Sequence, residues 1–434
     1  MKVKVIGGGL AGCEAAYFLA KQGYEVLLYE MRPKKMTGAH ETSMLAELVC
    51  SNSLKSSSLE NACGLLKAEM QEFGSLCMEA ALNSEVPAGQ SLAVDRTKFS
   101  NYITNKISEM KNITIIREEV TKISPTDYTI IATGPLTSDS LGEEIKKVFG
   151  LTDYYFYDAQ APIIYADSIN YDKAYFKSRY DKGTADYLNC PMTKDEFMTF
   201  YEALITADEV PTPDFELKVF EACMPIEVMA KRGPKTLTFG PMKPVGLRTP
   251  DGLSPYAVVQ LRQDDVSKTL YNMVGFQTHL KFPEQKRVFS LIPGLENVRF
   301  AKYGRIHKNT YINAPKILNN TLQTKKYPNI FFAGQLSGVE GYVESFATGL
   351  VAAINLDLFI RGKEMLIFPK ETIIGSLLNY ISSPQENFLP MNSNFGILPP
   401  LIDVKKQDRK KAYKERALAA LKEVKTRYDR LRTN

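Results

Sequence analysis

A glycine run directly after a short apolar segment constrains this chain more than any other feature. Residues 2–6 predict a buried strand, and Gly7, Gly9 and Gly12 follow with the spacing G-x-G-x-x-G. The first glycine permits a tight turn, the second lets a pyrophosphate approach the backbone, and the third lets the next helix, predicted at 11–21, pack on the strand. That helix offers free N–H groups to phosphates at its N-terminus. Residues 1–30 therefore predict a dinucleotide-binding β-α-β unit.

An acidic residue at the end of the second strand completes this pattern. The second strand is predicted at 24–29, and Glu30 follows it, 18 residues after Gly12. At this place a carboxylate can accept hydrogen bonds from ribose hydroxyls.

Two later segments favour FAD over NAD. TIIATG at 129–134 is similar to the strand end that packs beside the adenosine half in glutathione-reductase-type flavoproteins, and IFFAGQ at 330–335 is similar to their late strand–glycine motif. In those proteins the helix after the second motif points its N-terminus at the flavin, and here a helix is predicted at 344–360. Gln335 stands where those proteins often have Asp.

The predicted fold is α/β: a Rossmann-type FAD-binding domain of glutathione-reductase type, with an inserted smaller α+β domain. Helices are predicted at 62–82 and 95–110, and strands at 128–132 and 329–333. The region between has short strand-like runs such as 256–261 and 271–276, rich in Tyr and Pro. We therefore expect the first part of the FAD-binding domain at 1–150, the inserted domain at 151–300, and the second part at 301–434.

The C-terminal segment is strongly basic. Residues 401–434 hold twelve Lys/Arg and five Asp/Glu, so the rest of the chain is slightly acidic although the whole has a net charge of +5. Apolar residues there recur at helical spacing, which predicts an amphipathic helix with a basic face. That face suits RNA phosphates or a folate glutamate tail, and a solvated terminal helix is the alternative. The cations concerned are Lys405, Lys406, Arg409, Lys410 and Lys411.

Composition narrows the class of protein. No apolar run reaches the roughly 20 residues of a membrane span, and the N-terminal apolar run fits a buried strand better than a signal peptide. The six cysteines form no CxxC pair and the three histidines are scattered, so no metal site is predicted. We expect a cytoplasmic protein with reduced thiols and no stable protein partner.

Beyond these motifs, the chain resembles one family over nearly its whole length: the folate- and FAD-dependent tRNA (uracil-5-)-methyltransferases, the TrmFO family, relatives of the MnmG/GidA flavoproteins. Blocks that carry the resemblance run in one order along the chain. They are YEMRP at 29–33, AELVCSNS at 46–53, VPAG at 86–89, AVDR at 93–96, LNCPM at 188–192, CMPIEVMAKRG at 223–233, FGPMKPVG at 239–246, VQLRQDD at 259–265, VGFQTHL at 274–280 and GVEGYVES at 338–345. Two departures are Ala222, where the family pattern has Gly, and Glu41, where it has a second His.

The resemblance implies an enzyme, a methylenetetrahydrofolate--tRNA-(uracil-5-)-methyltransferase that oxidises FADH2. The methylene carbon of 5,10-methylenetetrahydrofolate becomes the 5-methyl group of a uridine, and NADPH or NADH reduces the flavin. Some relatives methylate 23S ribosomal RNA instead of the tRNA T-loop, and these motifs do not separate the two substrates. The implied cofactor-binding residues are Gly7, Gly8, Gly9, Leu10, Ala11, Gly12, Glu30, Gly134, Gly334 and Tyr342.

Two cysteines match catalytic positions of the family. Carbon 5 of uracil is a poor nucleophile, and a thiolate that adds to carbon 6 activates it. Cys223 matches the proposed carbon 6 nucleophile. Cys50 matches the residue proposed to remove the carbon 5 proton beside the flavin.

Other residues keep simpler alternatives. Cys13, Cys63 and Cys77 fit small buried hydrophobes, and Cys190 has no clear role. His279 and Tyr342 are either rings that stack on the flavin or the pterin, or satisfied core residues. Two further function classes also stay open at this point: a small-molecule FAD oxidoreductase, and a catalytically silent flavoprotein that binds RNA.

Overall fold

The computed structural model of the chain describes residues 1–151, 155–181, 183–211 and 224–433. Its N-terminal part contains a parallel sheet, a small antiparallel sheet and the helices that cover them. These elements are β1 (Lys2–Ile6), α1 (Leu10–Lys21), β2 (Glu25–Tyr29), β3 (Ser53–Ser56), α2 (Ala62–Gln71), α3 (Leu76–Asn83), β4 (Glu85–Val86), β5 (Ser91–Val94), α4 (Arg96–Glu109), β6 (Ile113–Ile116), β7 (Thr129–Ile131) and α5 (Asp139–Phe149).

The middle of the chain is mixed and mostly antiparallel. Its elements are β8 (Tyr155–Ala159), β9 (Ile163–Tyr165), β10 (Tyr175–Phe176), β11 (Tyr187–Met192), α6 (Lys194–Ile205), α7 (Ile226–Lys231), α8 (Pro234–Phe239), β12 (Ala257–Gln263), β13 (Leu270–Met273), α9 (Phe282–Phe289), β14 (Phe300–Lys302) and β15 (Ile306–Thr310).

The C-terminal part returns to the first sheet and ends in a long helix. It contains α10 (Ala314–Ile317), β16 (Ile330–Phe332), α11 (Tyr342–Ile360), α12 (Ile373–Ser382) and α13 (Arg409–Thr433).

The parallel sheet has the order β16-β7-β1-β2-β6, and every one of its pairings is parallel. Its central strand β1 and neighbouring β7 are apolar because both faces are covered by helices, as parallel sheets require. The sheet includes β16, which is about 200 residues after β7 in the chain, so the second part of the chain completes the first. The predicted α/β class is confirmed.

The second sheet is antiparallel, with the order β10-β11-β12-β13-β9-β14. Helices α6 and α9 pack on it, and they contribute Phe197, Phe200 and Phe289 to its core. This core draws its buried apolar residues from 164–298, whereas the core of the parallel sheet draws from 3–145 and 311–428. We propose from this separation that the divisions predicted after residues 150 and 300 are the domain boundaries.

Helix α11 is the central helix of the larger core. It is long and apolar enough to cross a membrane, but 89% of its apolar window is buried inside the protein. It crosses α1 closely, because Gly349 has no side chain: a Cβ there would lie 2.3 Å from the carbonyl oxygen of Ala11. A core helix of this kind explains the apolar composition without a membrane.

One predicted helix is wrong in extent. The periodicity over 62–82 predicts a single helix, but the structure has two, α2 and α3, separated at residues 72–75. Glu14 explains the second start, since its buried carboxylate accepts hydrogen bonds from the backbone N–H groups of Leu76 and Cys77, at 3.1 and 2.8 Å. Ser75 also caps α3 through the N–H of Met78. A tertiary contact thus sets a helix end that the local pattern does not reveal.

Candidate active site

A cleft of about 990 Å³ lies at the carboxyl ends of the parallel strands. Strands β1, β2, β7 and β16 all end at this edge, and the residues that follow each of them line the cleft. Ligands of open α/β sheets bind at this edge. The lining includes residues 7, 9–11, 29–32, 132–138, 334–335, 342 and 345.

The glycines of the first turn shape one wall of the cleft. Gly7 has φ +108°, and a Cβ there would lie 2.5 Å from the carbonyl oxygen of Ala132. A Cβ on Gly12 would lie 1.8 Å from the carbonyl oxygen of Gly7, so only glycine lets α1 approach β1 here. Gly9 differs, since nothing lies within 4 Å of the place of its Cβ. The open space in front of Gly9 is therefore where a ligand can reach the backbone.

The N-terminus of α1 faces this space. Gly9 is its N-cap and supplies no capping side chain, and the first turn has no acidic residue. The N–H groups of that turn thus have no side-chain acceptor, and the helix dipole favours an anion in front of them. The arrangement fits a diphosphate.

Glu30 is a charged group at the end of β2. Its Oε2 accepts from the backbone N–H of Gly8 at 3.0 Å, and its Oε1 accepts from Nε of the buried Arg32 at 2.9 Å. Burial alone would raise the pKa of this carboxyl, but Arg32 outweighs burial and lowers it. Glu30 is therefore ionised and lines the cleft, where it can accept hydrogen bonds from hydroxyl groups.

Most of the predicted cofactor-binding residues meet at the cleft. Gly134 (φ +68°) and Gly334 (φ +74°) form the turns after β7 and β16, and Tyr342 begins α11 on the same side. Gly8 and Gly12 are the two predicted residues behind the lining, where Gly8 bonds Glu30 and Gly12 packs on Gly7. The remaining members line the cleft: Gly7, Gly9, Leu10, Ala11, Glu30, Gly134, Gly334 and Tyr342.

Cys50 lies in a loop fastened to Tyr342. The backbone N–H groups of Cys50 and Ser51 donate to the Tyr342 hydroxyl oxygen, at 2.7 and 3.2 Å. Cys50 is half-buried. Burial raises the pKa of the Tyr342 hydroxyl, so it remains protonated and neutral. The first predicted catalytic cysteine is therefore placed beside a residue that lines the cleft.

Arg96 and Asp264 hold this loop from the other side. Nη1 of Arg96 donates to the carbonyl of Leu48 at 2.9 Å, and Nη2 donates to that of Cys50 at 3.2 Å. Its Nε lies 3.0 Å from Oδ2 of Asp264, which is in the antiparallel-sheet part of the chain. Both side chains are largely buried, at 15% and 4% exposure. This ion pair joins the two parts of the chain at the Cys50 loop.

A second polar contact reinforces the first. Arg262 donates from Nε to Oδ1 of Asn52 at 2.9 Å and from Nη2 to the Ser51 hydroxyl at 2.8 Å. Nδ2 of Asn52, fully buried, donates to the carbonyl of Gln263 at 2.9 Å. These positions lie in the blocks at 46–53, 93–96 and 259–265, but no local sequence signal joins residues about 170 to 210 apart, so the sequence alone assigns them no role.

Cys223, the second predicted catalytic residue, lies outside the described residues. The described chain resumes at Met224, and the N–H of Ile226 donates to the carbonyl of Gln277 at 2.7 Å. The role predicted for Cys223 stays a prediction.

His279 is a buried polar residue rather than a stacking ring in the cleft. Its Nε2 is 3.0 Å from Oε2 of Glu209, and its Nδ1 is 2.6 Å from Oε1 of Glu227. Burial opposes the charged form, but the two carboxylates outweigh it and raise the pKa of His279 to about 9. The imidazolium therefore bridges Glu209, before the undescribed residues, to Glu227, after them. Of the two alternatives given above, the structure favours the core residue.

Four further cysteines are buried thiols. Cys13, Cys63, Cys77 and Cys190 are at most 6% exposed, and burial raises the pKa of each thiol, that of Cys190 to about 12. Such thiols are poor nucleophiles. These four residues fit the interpretation as small buried hydrophobes.

The basic C-terminal helix is present as predicted. Ala417, Leu421, Val424 and Tyr428 of α13 are buried against the larger core, and Leu431 packs at its edge. The five cations of residues 405–411 are exposed, and among described residues only Lys411 approaches a carboxylate, that of Glu415 at 3.9 Å. A positive face is thus available to a polyanion.

Comparison with known proteins assigns the chain to a family. A relative from Acholeplasma laidlawii named methylenetetrahydrofolate--tRNA-(uracil-5-)-methyltransferase TrmFO is 58% identical over 421 residues, which are 97% of this chain and 98% of the relative. The protein of that name from Bacillus subtilis is 57% identical over 427 residues, with the same coverage. The chain belongs to the TrmFO family. The recognition made from sequence blocks is thereby confirmed.

The wider family and the fold agree. A family model described as glucose inhibited division protein A (GidA) matches residues 2–364. The structure of Aquifex aeolicus GidA superposes with a TM-score of 0.71 over all of this chain and 75% of that chain, at 17% identity. This likeness confirms the fold class, and the geometry of the cleft adds where a nucleotide cofactor fits.

Proposed function

We propose that this protein transfers the methylene carbon of 5,10-methylenetetrahydrofolate to carbon 5 of a uridine in tRNA, with bound FAD as the redox cofactor and NADPH or NADH as the reductant. The observation that carries the proposal is identity near 58% along 97% of the chain to a relative named for this reaction. A cytoplasmic location belongs to the proposal, and it is consistent with cysteines that stand as thiols rather than disulfides in the described residues.

The residues of the cleft fit FAD. The open space at Gly9 and the N-terminus of α1 suit the diphosphate, and the ionised Glu30 suits the ribose hydroxyls. The turns at Gly134 and Gly334 and the ring of Tyr342 line the rest of a cleft whose volume suits a large ligand. Bound FAD supplies the electrons that turn the transferred methylene into a methyl group.

The chain's own residues supply the remaining steps. We assign Cys223 as the thiolate that adds to carbon 6 of the uracil, so that electron density builds up at carbon 5. We assign Cys50 as the base that removes the carbon 5 proton after the new carbon–carbon bond forms, and that proton loss allows the thiolate to leave carbon 6. The contacts from Arg96 and Tyr342 fix the backbone of Cys50 beside the cleft.

The test is a reconstituted reaction. Flavin-loaded protein, methylenetetrahydrofolate and NADPH are incubated with separate tRNA and ribosomal RNA preparations that lack 5-methyluridine, and the modified base is mapped. We expect methylation of tRNA at one uridine. Methylation of ribosomal RNA alone would transfer the same chemistry to another substrate, and oxidation of NADPH without RNA modification would leave a small-molecule oxidoreductase.

Two glycine variants provide the matched control. Gly9→Val places a side chain in the open space before α1 and is expected to lose both flavin and methylation. Gly142→Ala, in α5 and also with nothing within 4 Å of its Cβ position, is expected to keep both.

A further inference from the structure

The antiparallel-sheet part of the chain carries an exposed surface that combines aromatic rings with cations. Its rings are Phe176, Tyr180 and Phe239, at 50%, 52% and 78% exposure. Large apolar side chains this exposed are unusual when several share one surface. We refer to these rings with Lys235, Lys243 and Arg248 as the aromatic–basic surface.

The surface is continuous because two segments pack on each other. The N–H of Tyr180 donates to the carbonyl of Gly246 at 3.1 Å, and the Tyr180 ring covers Gly246 so closely that a Cβ there would lie 2.8 Å from it. Phe176 and Arg248 line one groove. Phe239 ends α8, and the chain turns back directly after it, since the N–H of Lys243 donates to the carbonyl of Gly240 at 3.3 Å.

The cations of this surface have no acidic partners in the described part of the chain. Residues 231–251 hold five Lys/Arg and one Asp. Lys231 pairs with Glu209 at 2.6 Å, but among described residues Lys235, Lys243 and Arg248 pair with no carboxylate. A second copy docking here by two-fold symmetry would place like charges opposite each other. The surface therefore complements an anion.

A polar path connects this surface to the Cys50 loop. Arg179, next to Tyr180, donates to Oε1 of Gln260 at 3.1 Å. Gln260 lies two residues before Arg262 on β12, about 7 Å away on the same face, and Arg262 bonds Ser51. The aromatic–basic surface is thus one strand segment from the loop that carries Cys50.

We propose that the aromatic–basic surface binds the unpaired nucleotides beside the target uridine, with their bases stacked on its rings. The inference rests on the proposed function. A thiolate reaches carbon 6 only from the face of the uracil, so the base must leave its stack, and the neighbouring bases then lose a stacking partner. Exposed Phe and Tyr rings replace that partner, and nearby Lys and Arg bind the phosphates.

The test compares two labelled RNAs on the full-length, flavin-loaded protein: a hairpin with a uridine-containing loop, and a blunt duplex with the same number of phosphates. Phe239→Leu keeps an apolar side chain but removes the ring, and Phe239→Tyr keeps the ring. We expect Phe239→Leu to bind the hairpin roughly five- to a hundredfold more weakly and the duplex unchanged, and Phe239→Tyr to match the wild type. The KM for RNA should rise in Phe239→Leu while kcat holds.

Each other outcome is decisive. Equal hairpin affinity for Phe239→Leu and wild type overturns the proposal, as does an equal loss for hairpin and duplex. A change in sedimentation with unchanged RNA affinity assigns the surface to self-association instead. Leu82→Ala, which changes an exposed apolar residue on α3, is the control and should change nothing. Failure of the proposed function would be separate, because wild-type protein would then form no 5-methyluridine even if the hairpin binds.

Discussion

Replacing Arg96 by methionine tests whether a buried ion pair holds the Cys50 loop. In the wild type the guanidinium lies 3.0 Å from Asp264 and donates to the carbonyls of Leu48 and Cys50 at 2.9 and 3.2 Å. A methionine side chain at this position would fill most of the volume but provide no charge and no donor. The variant therefore removes the link between the two parts of the chain at this loop.

The expected cost follows from burial. Asp264 has an exposure of 4%, so Arg96→Met leaves a carboxylate buried without its partner. Removing one partner of such a pair destabilises a protein by about 3–5 kcal/mol. The double variant Arg96→Met/Asp264→Leu buries no lone charge, so most of that loss should be recovered. The two carbonyls still lack their donors, so flavin retention and turnover should stay below wild type.

The measurement is urea unfolding at pH 7 for the two single variants and the double variant, with flavin content measured in parallel. Lys281→Met is the control, since its ion pair with Asp208 at 3.2 Å is exposed, and such pairs contribute less than about 1 kcal/mol. Equal losses in Arg96→Met and Lys281→Met would refute the reasoning. So would a double variant as unstable as the sum of the single variants, because the charges would then act independently.

Three further expectations concern charge and the two cysteines. The pKa of His279, about 9, lies above its ordinary 6.5, so its charge stabilises the fold fully below about pH 6.5, and this contribution disappears as the pH rises through 9; urea unfolding across that range should show this decline in wild type but not in His279→Gln. Cys223→Ala should form no covalent adduct with 5-fluorouridine RNA, whereas Cys50→Ala should form it without turning over; the reverse pattern would exchange the two roles. Neutralising the basic run before and at the start of α13 should lower the slope of log affinity against log salt by about 0.9 for each phosphate bound in a duplex and about 0.7 in a single strand, with flavin content unchanged, and an unchanged slope would mean a solvated helix face. The cations to neutralise are Lys405, Lys406, Arg409, Lys410 and Lys411.

Sequence predicts best where local pattern and tertiary role coincide. β1 has the predicted bounds, Lys2–Ile6, because a short apolar run bounded by glycines has one buried solution. Gly7, Gly9 and Gly12 are predictable for the same reason, since each glycine has its own steric role. The pattern at 62–82 predicts one helix because nothing in it reveals that Glu14 caps a second helix start.

The support of the Cys50 loop could not be predicted in the same way. Arg96 and Asp264 are 168 residues apart, and their contact depends on how the two sheets meet. His279 illustrates the opposite error: an imidazole in a family block suggested a ligand contact, but two distant carboxylates hold it in the core. Long-range pairing of charges is the part of the site that only the fold supplies.

The source of the methyl carbon tests the central claim most directly. Methylenetetrahydrofolate carrying two deuterium atoms on its methylene carbon is supplied with NADPH and undermethylated tRNA, and the 5-methyluridine formed is weighed by mass spectrometry. The proposed reaction predicts a methyl group heavier by the mass of two deuterium atoms, since the third hydrogen comes from the reductant. A parallel reaction with deuterated S-adenosylmethionine and no folate should give no product. A methyl group labelled from S-adenosylmethionine, or an unlabelled one in the folate reaction, would contradict the account.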